Sequence, residues 1–340
     1  MLRSLGVLVT VLFACAAAVV TWPGFFRLED KVPFAQIVAV RGATVVVFAI
    51  LTVLFLCFAA SRRLRGFAVS MAVVSAVAAI AGGVTLGLRG YGAATMPDKE
   101  ESSVRVMTWN TLGNATGAET IARTAVAMEA DIVALPETAK GVGEEVAVLM
   151  RDLGSPMWVH SEIYNEDVER GPQAWQTTLL VSPGLGDYSV IDASQDGTTM
   201  LPSAVAMPLN DGSGPIIVAA HAVAPQARYM AEWRSDLRWL ADQCVDDNVI
   251  MVGDFNATVD HMAALGEGGN DLGWCRDAAA ESGNGAVGTW PTWLPSTLGT
   301  PIDHVLVSDA WEVSGSIVVT NVDDAGSDHR PLVVQLEPAD

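Results

Sequence analysis

The chain has 340 residues, of which 51% are hydrophobic, and it carries a formal net charge of −20. This apolar excess is larger than a water-soluble core needs, so it predicts membrane-spanning segments. The first 90 residues carry +6 and the rest −26, which disfavours a protein that grips nucleic acid through a broad basic face. Four cysteines, with no Cys-x-x-Cys and no Cys/His pair at zinc-ligand spacing, exclude a disulfide scaffold and a structural zinc site.

Three uncharged apolar stretches precede residue 90, at 5–22, 43–60 and 67–88. Each is long enough to cross roughly 30 Å of hydrocarbon as an α-helix. None has a polar or ionisable residue mid-span that would suggest an ion path, so the stretches predict an anchor and argue against a transporter. For the first stretch, Arg3 and the small residues 16–18 leave a cleavable signal peptide as the alternative.

The short segment 61–66 between the second and third stretches contains Arg62, Arg63 and Arg65. Such a density of basic residues is typical of a cytoplasmic loop. We therefore expect a multi-pass protein of the cell membrane with its amino terminus inside and the residues after about 90 outside, although four other basic residues then lie on the outer side. The partner predicted for this part is the lipid bilayer, and no obligate protein partner is predicted.

After a linker of small and polar residues at 91–102, residues 103–340 have the pattern of one α/β domain. Apolar residues at three- and four-residue steps predict helices around 121–128, 142–153 and 230–244. Apolar and β-branched runs predict nine strands, at 104–109, 131–135, 177–181, 204–208, 215–220, 249–252, 302–307, 313–320 and 331–336. Many strands with few intervening helices indicate mixed sheets covered by helices.

Two cysteines, Cys244 and Cys275, belong to this acidic domain. A disulfide between them would suit an exported domain and would stabilise it by about 3 to 4 kcal/mol. Two unpaired small core residues are the alternative.

Polar residues interrupt the ends of the apolar runs in six places. A carboxylate or amide at the end of a buried strand is costly unless other groups converge on it. Each one alone also fits a structural explanation, such as a turn, a helix cap or a satisfied core histidine. Together they predict that these strand ends meet at a common edge of the domain. The residues are Asn110, Glu137, His221, Asp254 with Asn256, Asp303, and Asp328 with His329. Oxygen ligands without cysteine favour Mg²⁺, with Mn²⁺ or Ca²⁺ as alternatives, over zinc.

In this order the motifs resemble those of the endonuclease/exonuclease/phosphatase superfamily. The resemblance spans almost all of residues 103–340, and GDFN together with a terminal SDHxP is its most specific part. The matching motifs are TWN at 108–110, PE at 136–137, HAVAP at 221–225, GDFNA at 253–257, IDHVLVS at 302–308 and SDHRPL at 327–332. The resemblance implies a four-layer sandwich of two mixed β-sheets flanked by helices, and hydrolysis of a phosphodiester in a nucleic acid or a phospholipid.

The resemblance also implies a role for each matched residue. Glu137 matches the acidic metal ligand, with Asn110 beside it and Asp328 completing the metal environment. Asp254 and Asn256 match the pair that aligns the attacking water and holds a phosphate oxygen.

Three further matches concern proton transfer. His329 matches the histidine that contacts the scissile phosphate or acts as general base, and Asp303 matches the carboxylate that orients it. His221 resembles the histidine of the deoxyribonuclease branch that protonates the leaving oxygen.

Two features depart from the family pattern. Leu112 stands where the apurinic-endonuclease branch has an acid, so one ligand of that branch is missing. The acidic partner of His221 is not assigned by any motif, and the candidates are Glu162, Glu166 and Glu169.

We consider two further classes of function. One is an inactive member of the family that serves as an exported interaction domain. The other is a transporter with a soluble accessory domain, which the uncharged spans disfavour. Trp290 and Trp293, in GTWPTWLP, could stack on a base, line a lipid cleft or simply pack.

Overall fold

The computed structural model describes residues 2–92, 95–163, 175–191, 197–209, 214–245 and 248–339. The chain divides into two compact units, Met1–Arg89 and Gly90–Asp340. The helices of the first unit are α1 (Leu2–Thr21), α2 (Phe34–Ala39), α3 (Arg41–Phe58) and α4 (Arg65–Arg89). Of the described helices, α1, α3 and α4 are long and apolar enough to cross a membrane.

The first unit has a small buried interior and a large apolar exterior. Ala17, Phe48 and Ala78 meet where α1, α3 and α4 pack together. Nη1 of Arg41 donates to the carbonyl of Thr21 at 2.9 Å and so satisfies one of the free carbonyls at the end of α1. Most large apolar side chains of these helices point outward, as they do in segments surrounded by lipid.

The second unit contains two six-stranded sheets. In chain order the strands are β1 (Val104–Thr108), β2 (Ile132–Pro136), β3 (Trp158–Ile163), β4 (Gln176–Val181), β5 (Tyr188–Ile191), β6 (Ala204–Pro208), β7 (Ile216–His221), β8 (Val249–Asp254), β9 (Arg276–Asp277), β10 (Asp303–Val307), β11 (Trp311–Val318) and β12 (Leu332–Pro338). The first sheet has the order β11-β12-β1-β2-β4-β3 and the second β5-β6-β7-β8-β10-β9. Both are mixed, because β1–β2 and β7–β8 are parallel and the other pairs antiparallel.

The helices of this unit are α5 (Ala118–Ala127), α6 (Lys140–Asp152), α7 (Met230–Gln243), α8 (Val259–Met262) and α9 (Ala278–Glu281). The inner faces of the two sheets form one apolar core, in which Ile132 of the first sheet and Ile250 of the second take part. The outer face of the first sheet packs on α5 and α6 through residues such as Ile121 and Val146. The predicted fold, two mixed sheets flanked by helices, is confirmed.

The strands differ from the prediction mainly at the sheet edges. All nine predicted strands are present, with ends displaced by one or two residues or, for the last, extended to Pro338. β3 and β5 were not predicted, because each is an edge strand with polar residues among its apolar ones, as in WVHSEI at Trp158–Ile163. β9 has only two residues, too few for a periodic signal.

The predicted linker 91–102 is bonded to the second unit, and the two cysteines whose pairing the sequence left open form a disulfide. Within the predicted linker 91–102, the Pro97 carbonyl accepts from Nη2 of Arg105 at 2.8 Å, and Nζ of Lys99 lies 2.7 Å from a carboxylate oxygen of Asp131. Cys244, at the end of α7, forms a disulfide with Cys275, which lies just before β9.

Candidate active site

The site lies where the ends of neighbouring strands meet at one edge of each sheet. β1 and β2 are parallel, so the residues that follow them, Asn110 and Glu137, lie at the same edge. β7 and β8 are parallel too, and they end with His221 and Asp254, which pair in register. β10 runs antiparallel to β8, so its first residue, Asp303, stands opposite Asp254.

The last contribution comes from the segment before β12. Leu332 pairs with Thr108 at the end of β1, which places Asp328 and His329 at the same edge. Oγ of Ser327 donates to the Asn110 carbonyl at 2.6 Å and accepts from the His329 N–H at 3.0 Å, and this fixes the segment against β1.

Asn110 links the two sheets. Its side-chain Nδ2 donates to Oε1 of Glu137 at 3.2 Å, in the first sheet, and to Oδ2 of Asp254 at 2.9 Å, in the second. Its Oδ1 accepts from the Leu112 N–H at 2.9 Å. The amide therefore holds two carboxylates close together, and one lone pair of its oxygen remains available.

Asp254 and Asn256 form a compact pair after β8. Oδ1 of Asp254 accepts from the backbone N–H of Asn256 at 2.8 Å, and the Asn256 side chain donates to the Ala222 carbonyl at 2.9 Å. Asn256 has φ 46° and Glu137 has φ 57°. Asparagine tolerates this left-handed conformation, but it costs energy for a glutamate. A strained backbone position such as that of Glu137 is typical of functional sites.

Asp303 and His329 form a buried carboxylate–histidine pair. Nδ1 of His329 donates to Oδ2 of Asp303 at 2.8 Å, which fixes the plane of the ring. The other ring nitrogen, Nε2, lies 3.9 Å from both Oδ2 of Asp254 and Oδ1 of Asp328, too far for a hydrogen bond. That nitrogen is therefore aimed into the space among the carboxylates.

His221 faces Glu137 from the second sheet. Its Nε2 lies 3.9 Å from Oε1 of Glu137, and its Nδ1 lies 3.5 Å from Oγ1 of Thr177. Glu162, one candidate for its acidic partner, pairs with Thr177 in the register of β3 and β4. The other two candidates, Glu166 and Glu169, lie outside the described residues.

Asp328 is held by an aromatic residue. Nε1 of Trp290 donates to its Oδ2 at 2.8 Å, while its Oδ1 is buried with no hydrogen-bond partner in the described part of the chain. The sequence drew attention to Trp290 but gave no indication of this contact. The polar indole edge beside a carboxylate is a signal that can be recognised only in three dimensions.

Burial and mutual charge shift the protonation of the site. Burial raises the pKa of Glu137, and the hydrogen bond from Asn110 opposes this. Burial and the neighbouring Asp303 raise the pKa of Asp254 to about 7. Burial opposes protonation of His329, but Asp303 and the other carboxylates outweigh it and raise the pKa to about 10. Burial, with repulsion from His329, lowers the pKa of His221 to about 3.

The donor set suits a divalent cation. Oδ1 of Asp328 and Oδ1 of Asp303 are buried carboxylate oxygens without a hydrogen-bond partner among the described residues. Such atoms are costly unless a cation or water meets them. Asp254, Asp303 and His329 also offer ligand atoms within 4.8 Å of one another. Carboxylate and amide oxygens without thiolate are the ligands of a hard cation such as Mg²⁺.

All eight predicted site residues thus lie together, and Glu137 and His329 are on the same side of the molecule. His304, which neighbours Asp303 in β10, points the other way and is bonded to Asp277 and the Ala257 carbonyl. Leu112, two residues after Asn110, has 45% of its surface exposed, and Trp293 has 76%.

Comparisons with known proteins agree with this geometry. Residues 107–329, more than half of the chain, match the model of the Endonuclease/Exonuclease/phosphatase family. A comparison with curated proteins gave no match.

Several solved structures share the fold at identities below 25%. The endonuclease/exonuclease/phosphatase from Beutenbergia cavernae DSM 12333 is 18% identical, with a TM-score of 0.53 over 70% of this chain and 72% of its own. TDP2 of D. rerio, complexed with single strand DNA product, is 16% identical, with a TM-score of 0.51 over 70% and 100%. The endonuclease/exonuclease/phosphatase from Bacteroides vulgatus is 15% identical, with a TM-score of 0.50 over 70% and 100%.

The family match covers every strand end from which the clustered carboxylates, amides and histidines come, and so the chain belongs to the endonuclease/exonuclease/phosphatase family.

Proposed function

We propose that this chain is a membrane-anchored, divalent-metal-dependent phosphodiesterase. Proteins of its family hydrolyse phosphoester bonds and depend on a divalent metal. One observation carries the proposal for this chain: Asn110 holds Glu137 and Asp254 together, directly beside the Asp303–His329 pair. Two buried carboxylates, the half-buried Glu137 and a buried histidine in one cluster carry a desolvation cost that a bound cation and an anionic substrate would offset.

Glu137 and Asp328 would hold the metal, with the Asn110 oxygen beside them. In the alternative set of Asp254, Asp303 and His329, Nδ1 of the ring is already bonded to Asp303, and both oxygens of Asp254 accept hydrogen bonds. Mg²⁺ is the ion we assign, with Mn²⁺ or Ca²⁺ as the alternatives. When bound, the cation supplies Lewis-acid stabilisation of the charge on the phosphate oxygens.

Residues of the chain carry out the other steps of hydrolysis. Asp254, aligned by Asn256, takes a proton from the attacking water, whose oxygen forms a new bond to phosphorus. His329, oriented by Asp303, presents Nε2 to a phosphate oxygen.

The bond from phosphorus to the leaving oxygen then breaks, and His221 gives that oxygen its proton. Burial, with repulsion from His329, lowers the pKa of His221, so its neutral form is favoured in the free chain. The charge of a diester bound beside the ring opposes both effects and favours the protonated form, whose proton comes from solvent.

The anchor is the first unit, with α1, α3 and α4 crossing the membrane. The basic residues of 61–66 favour the cytoplasm for the loop between α3 and α4, and the disulfide of the second unit suits an oxidising compartment. The catalytic unit is then extracytoplasmic, and its substrate is a phosphodiester in a nucleic acid or a phospholipid.

The test is hydrolysis of bis(p-nitrophenyl) phosphate by the full chain in detergent, with and without a chelator. We expect Mg²⁺-dependent turnover that falls roughly 10²–10⁴-fold in Glu137→Ala, Asp254→Ala and His329→Ala. Asp152→Ala, which removes an exposed carboxylate paired with the neighbouring Arg151, is the matched control and retains full turnover. Unchanged turnover in any of the three site variants refutes the assignment, and no turnover in the parent chain favours an inactive interaction domain.

A further inference from the structure

Two exposed apolar residues, Leu112 and Trp293, here called the rim, lie on loops whose backbone is hydrogen-bonded to residues of the proposed site. Leu112 follows Asn110 by two residues, and its N–H is bonded to the Asn110 side chain. Trp293 follows Thr292, whose N–H donates to the Asp328 carbonyl at 2.9 Å. Each rim residue is therefore within one or two residues of a group that contacts the site.

The loop that carries Trp293 is built around a buried arginine. Arg330 is 1% exposed, and its guanidinium binds both carboxylate oxygens of Asp323 at 2.8 and 2.7 Å. The same guanidinium donates to four carbonyls of the loop 288–300, those of Gly288, Pro291, Thr292 and Leu294. The loop is thus fixed by its own hydrogen bonds, and it still leaves Trp293 with 76% of its surface exposed.

The backbone of Leu112 is strained. Its φ of 50° lies in the left-handed region, which is unfavourable for a residue with a Cβ. Glycine or asparagine would relieve that strain, yet the position holds an exposed leucine. Two exposed apolar side chains on loops that are bonded to the same site favour an apolar ligand group, because covering them removes apolar surface from water.

We propose that the substrate is a membrane phospholipid and that the rim contacts its acyl chains. This inference rests on the proposed function and adds the class of substrate. An aromatic residue alone would also suit a nucleic-acid base, but an aliphatic side chain such as Leu112 gives no stacking surface. Tryptophan is the residue most typical of the boundary between lipid and water.

Charge separates the two substrate classes further. The chain after residue 90 carries a net −26, which repels a polyanion such as DNA and leaves a zwitterionic phospholipid unaffected. The same chain contains three helices apolar enough to lie in lipid, so phospholipid is the diester that it meets at the highest local concentration. The reaction is the one described above: water adds to phosphorus, and the products are a phosphomonoester and an alcohol.

The experiment compares two diesters that have the same head group. The full chain in detergent is given phosphatidylcholine in mixed micelles and, separately, glycerophosphocholine, which lacks the acyl chains. Phosphorus NMR follows the phosphomonoester from either substrate, and single-stranded DNA and bis(p-nitrophenyl) phosphate are tested in parallel. We expect phosphatidylcholine to be the best natural substrate.

Substitutions of Leu112 and Trp293 test whether these residues cause the preference for phosphatidylcholine. In Trp293→Ser and Leu112→Ser, we expect the ratio of kcat/KM for phosphatidylcholine to that for glycerophosphocholine to fall about tenfold. Trp293→Phe restores most of it. Trp274→Ser is the matched control, because Trp274 is 51% exposed but its N–H donates to the carbonyl of Cys244, at the end of α7, which supplies none of the site residues named above. That variant keeps the parent ratio, and unchanged thermal unfolding verifies the fold of all variants.

Two kinds of failure can be told apart. If bis(p-nitrophenyl) phosphate is not hydrolysed in a metal-dependent way, the proposed function itself is wrong. If it is hydrolysed but DNA is cleaved faster than phosphatidylcholine, or the rim variants keep the parent ratio, the lipid assignment alone is overturned.

Discussion

Nε1 of Trp290 donates a 2.8 Å hydrogen bond to Oδ2 of Asp328 and so fixes the carboxylate whose other oxygen, Oδ1, is aimed at the site. Trp290 belongs to the loop 288–300, whereas Asp328 precedes β12. The contact therefore joins two segments that are far apart in the sequence. One oxygen of Asp328 is therefore hydrogen-bonded to the indole, and the other is available to a cation.

Trp290→Phe is expected to weaken metal binding. A hydrogen bond to a charged group is worth about 1.5–3 kcal/mol, and without it Asp328 is free to rotate, so we expect roughly tenfold weaker Mn²⁺ binding. Isothermal titration of the full chain with Mn²⁺ measures this without depending on turnover. Activity at saturating metal should recover most of the parent value.

The matched control is Trp311→Phe. Trp311 also donates its indole N–H to a side chain, Oδ1 of Asn248 at 2.9 Å, but at the start of β11. We expect this variant to bind Mn²⁺ as the parent does. Equal affinity in Trp290→Phe and the parent would show that the indole does not position Asp328.

A second prediction concerns the buried pair of His304 and Asp277 behind the site. Nδ1 of His304 donates to Asp277 and its Nε2 donates to the Ala257 carbonyl at 2.8 Å, so both ring nitrogens face acceptors. Burial opposes protonation, but the charge and hydrogen bond of Asp277 outweigh it and raise the pKa of His304 above its ordinary value of 6.5. The folded domain therefore favours the protonated ring more than the unfolded chain does.

The sign of the pH dependence follows from that raised pKa. The pair stabilises the fold fully below pH 6.5, and this contribution is lost as pH rises through the raised pKa. We expect His304→Gln to reduce the free energy of unfolding by about 3 kcal/mol in the acidic range, with a smaller deficit at alkaline pH. Near-UV circular dichroism during thermal unfolding at several pH values measures the difference. A deficit that grows toward alkaline pH would contradict the charged pair.

His160→Gln provides the contrast. Burial lowers the pKa of His160, so its neutral form is favoured in the fold and its contribution is lost as pH falls. The two glutamine variants should therefore diverge from the parent in opposite directions along the pH axis.

The sequence predicted that the site residues lie together because they interrupt apolar strands. Asn110, Glu137 and Asp254 each follow or end an apolar run that is buried throughout. The direction of the strands therefore places these residues at one edge of the sheets. The contacts of Trp290 with Asp328 and of Thr177 with His221 could not be predicted, because each joins two elements whose proximity depends on the loops between them. The edge strands were missed for a different reason: one face of such a strand is partly solvated, and the alternating signal fades.

The disulfide illustrates the same limit. Cys244 and Cys275 are 31 residues apart in sequence, and both a bond and two separate buried thiols satisfied every local rule. Only the packing of α7 beside the segment before β9 brings their Cα atoms to 5.9 Å, within the range that a disulfide requires.

Removing this disulfide should destabilise the second unit. Closing a loop of this length stabilises a fold by about 3 to 4 kcal/mol, largely through the unfolded chain, so Cys244→Ala with Cys275→Ala should lower the melting temperature clearly. The parent treated with reductant should show a similar loss. Cys15→Ser with Cys57→Ser is the control, since both are free cysteines outside this unit. A parent whose unfolding is insensitive to reductant would show that the two thiols are not joined.

The last prediction concerns the side of the membrane. With Arg62, Arg63 and Arg65 retained in the cytoplasm, the second unit is outside, and protease added to intact cells should remove it from the anchor. Replacing these three arginines by serine removes the densest basic loop, so a fraction of the chains should invert and become protected. Replacing Arg27 and Lys31 by serine is the control, because these residues lie on the proposed outer side and their loss should only strengthen the parent orientation. Full protection of the parent chain in intact cells, with cleavage after the cells are opened, would place the catalytic unit inside.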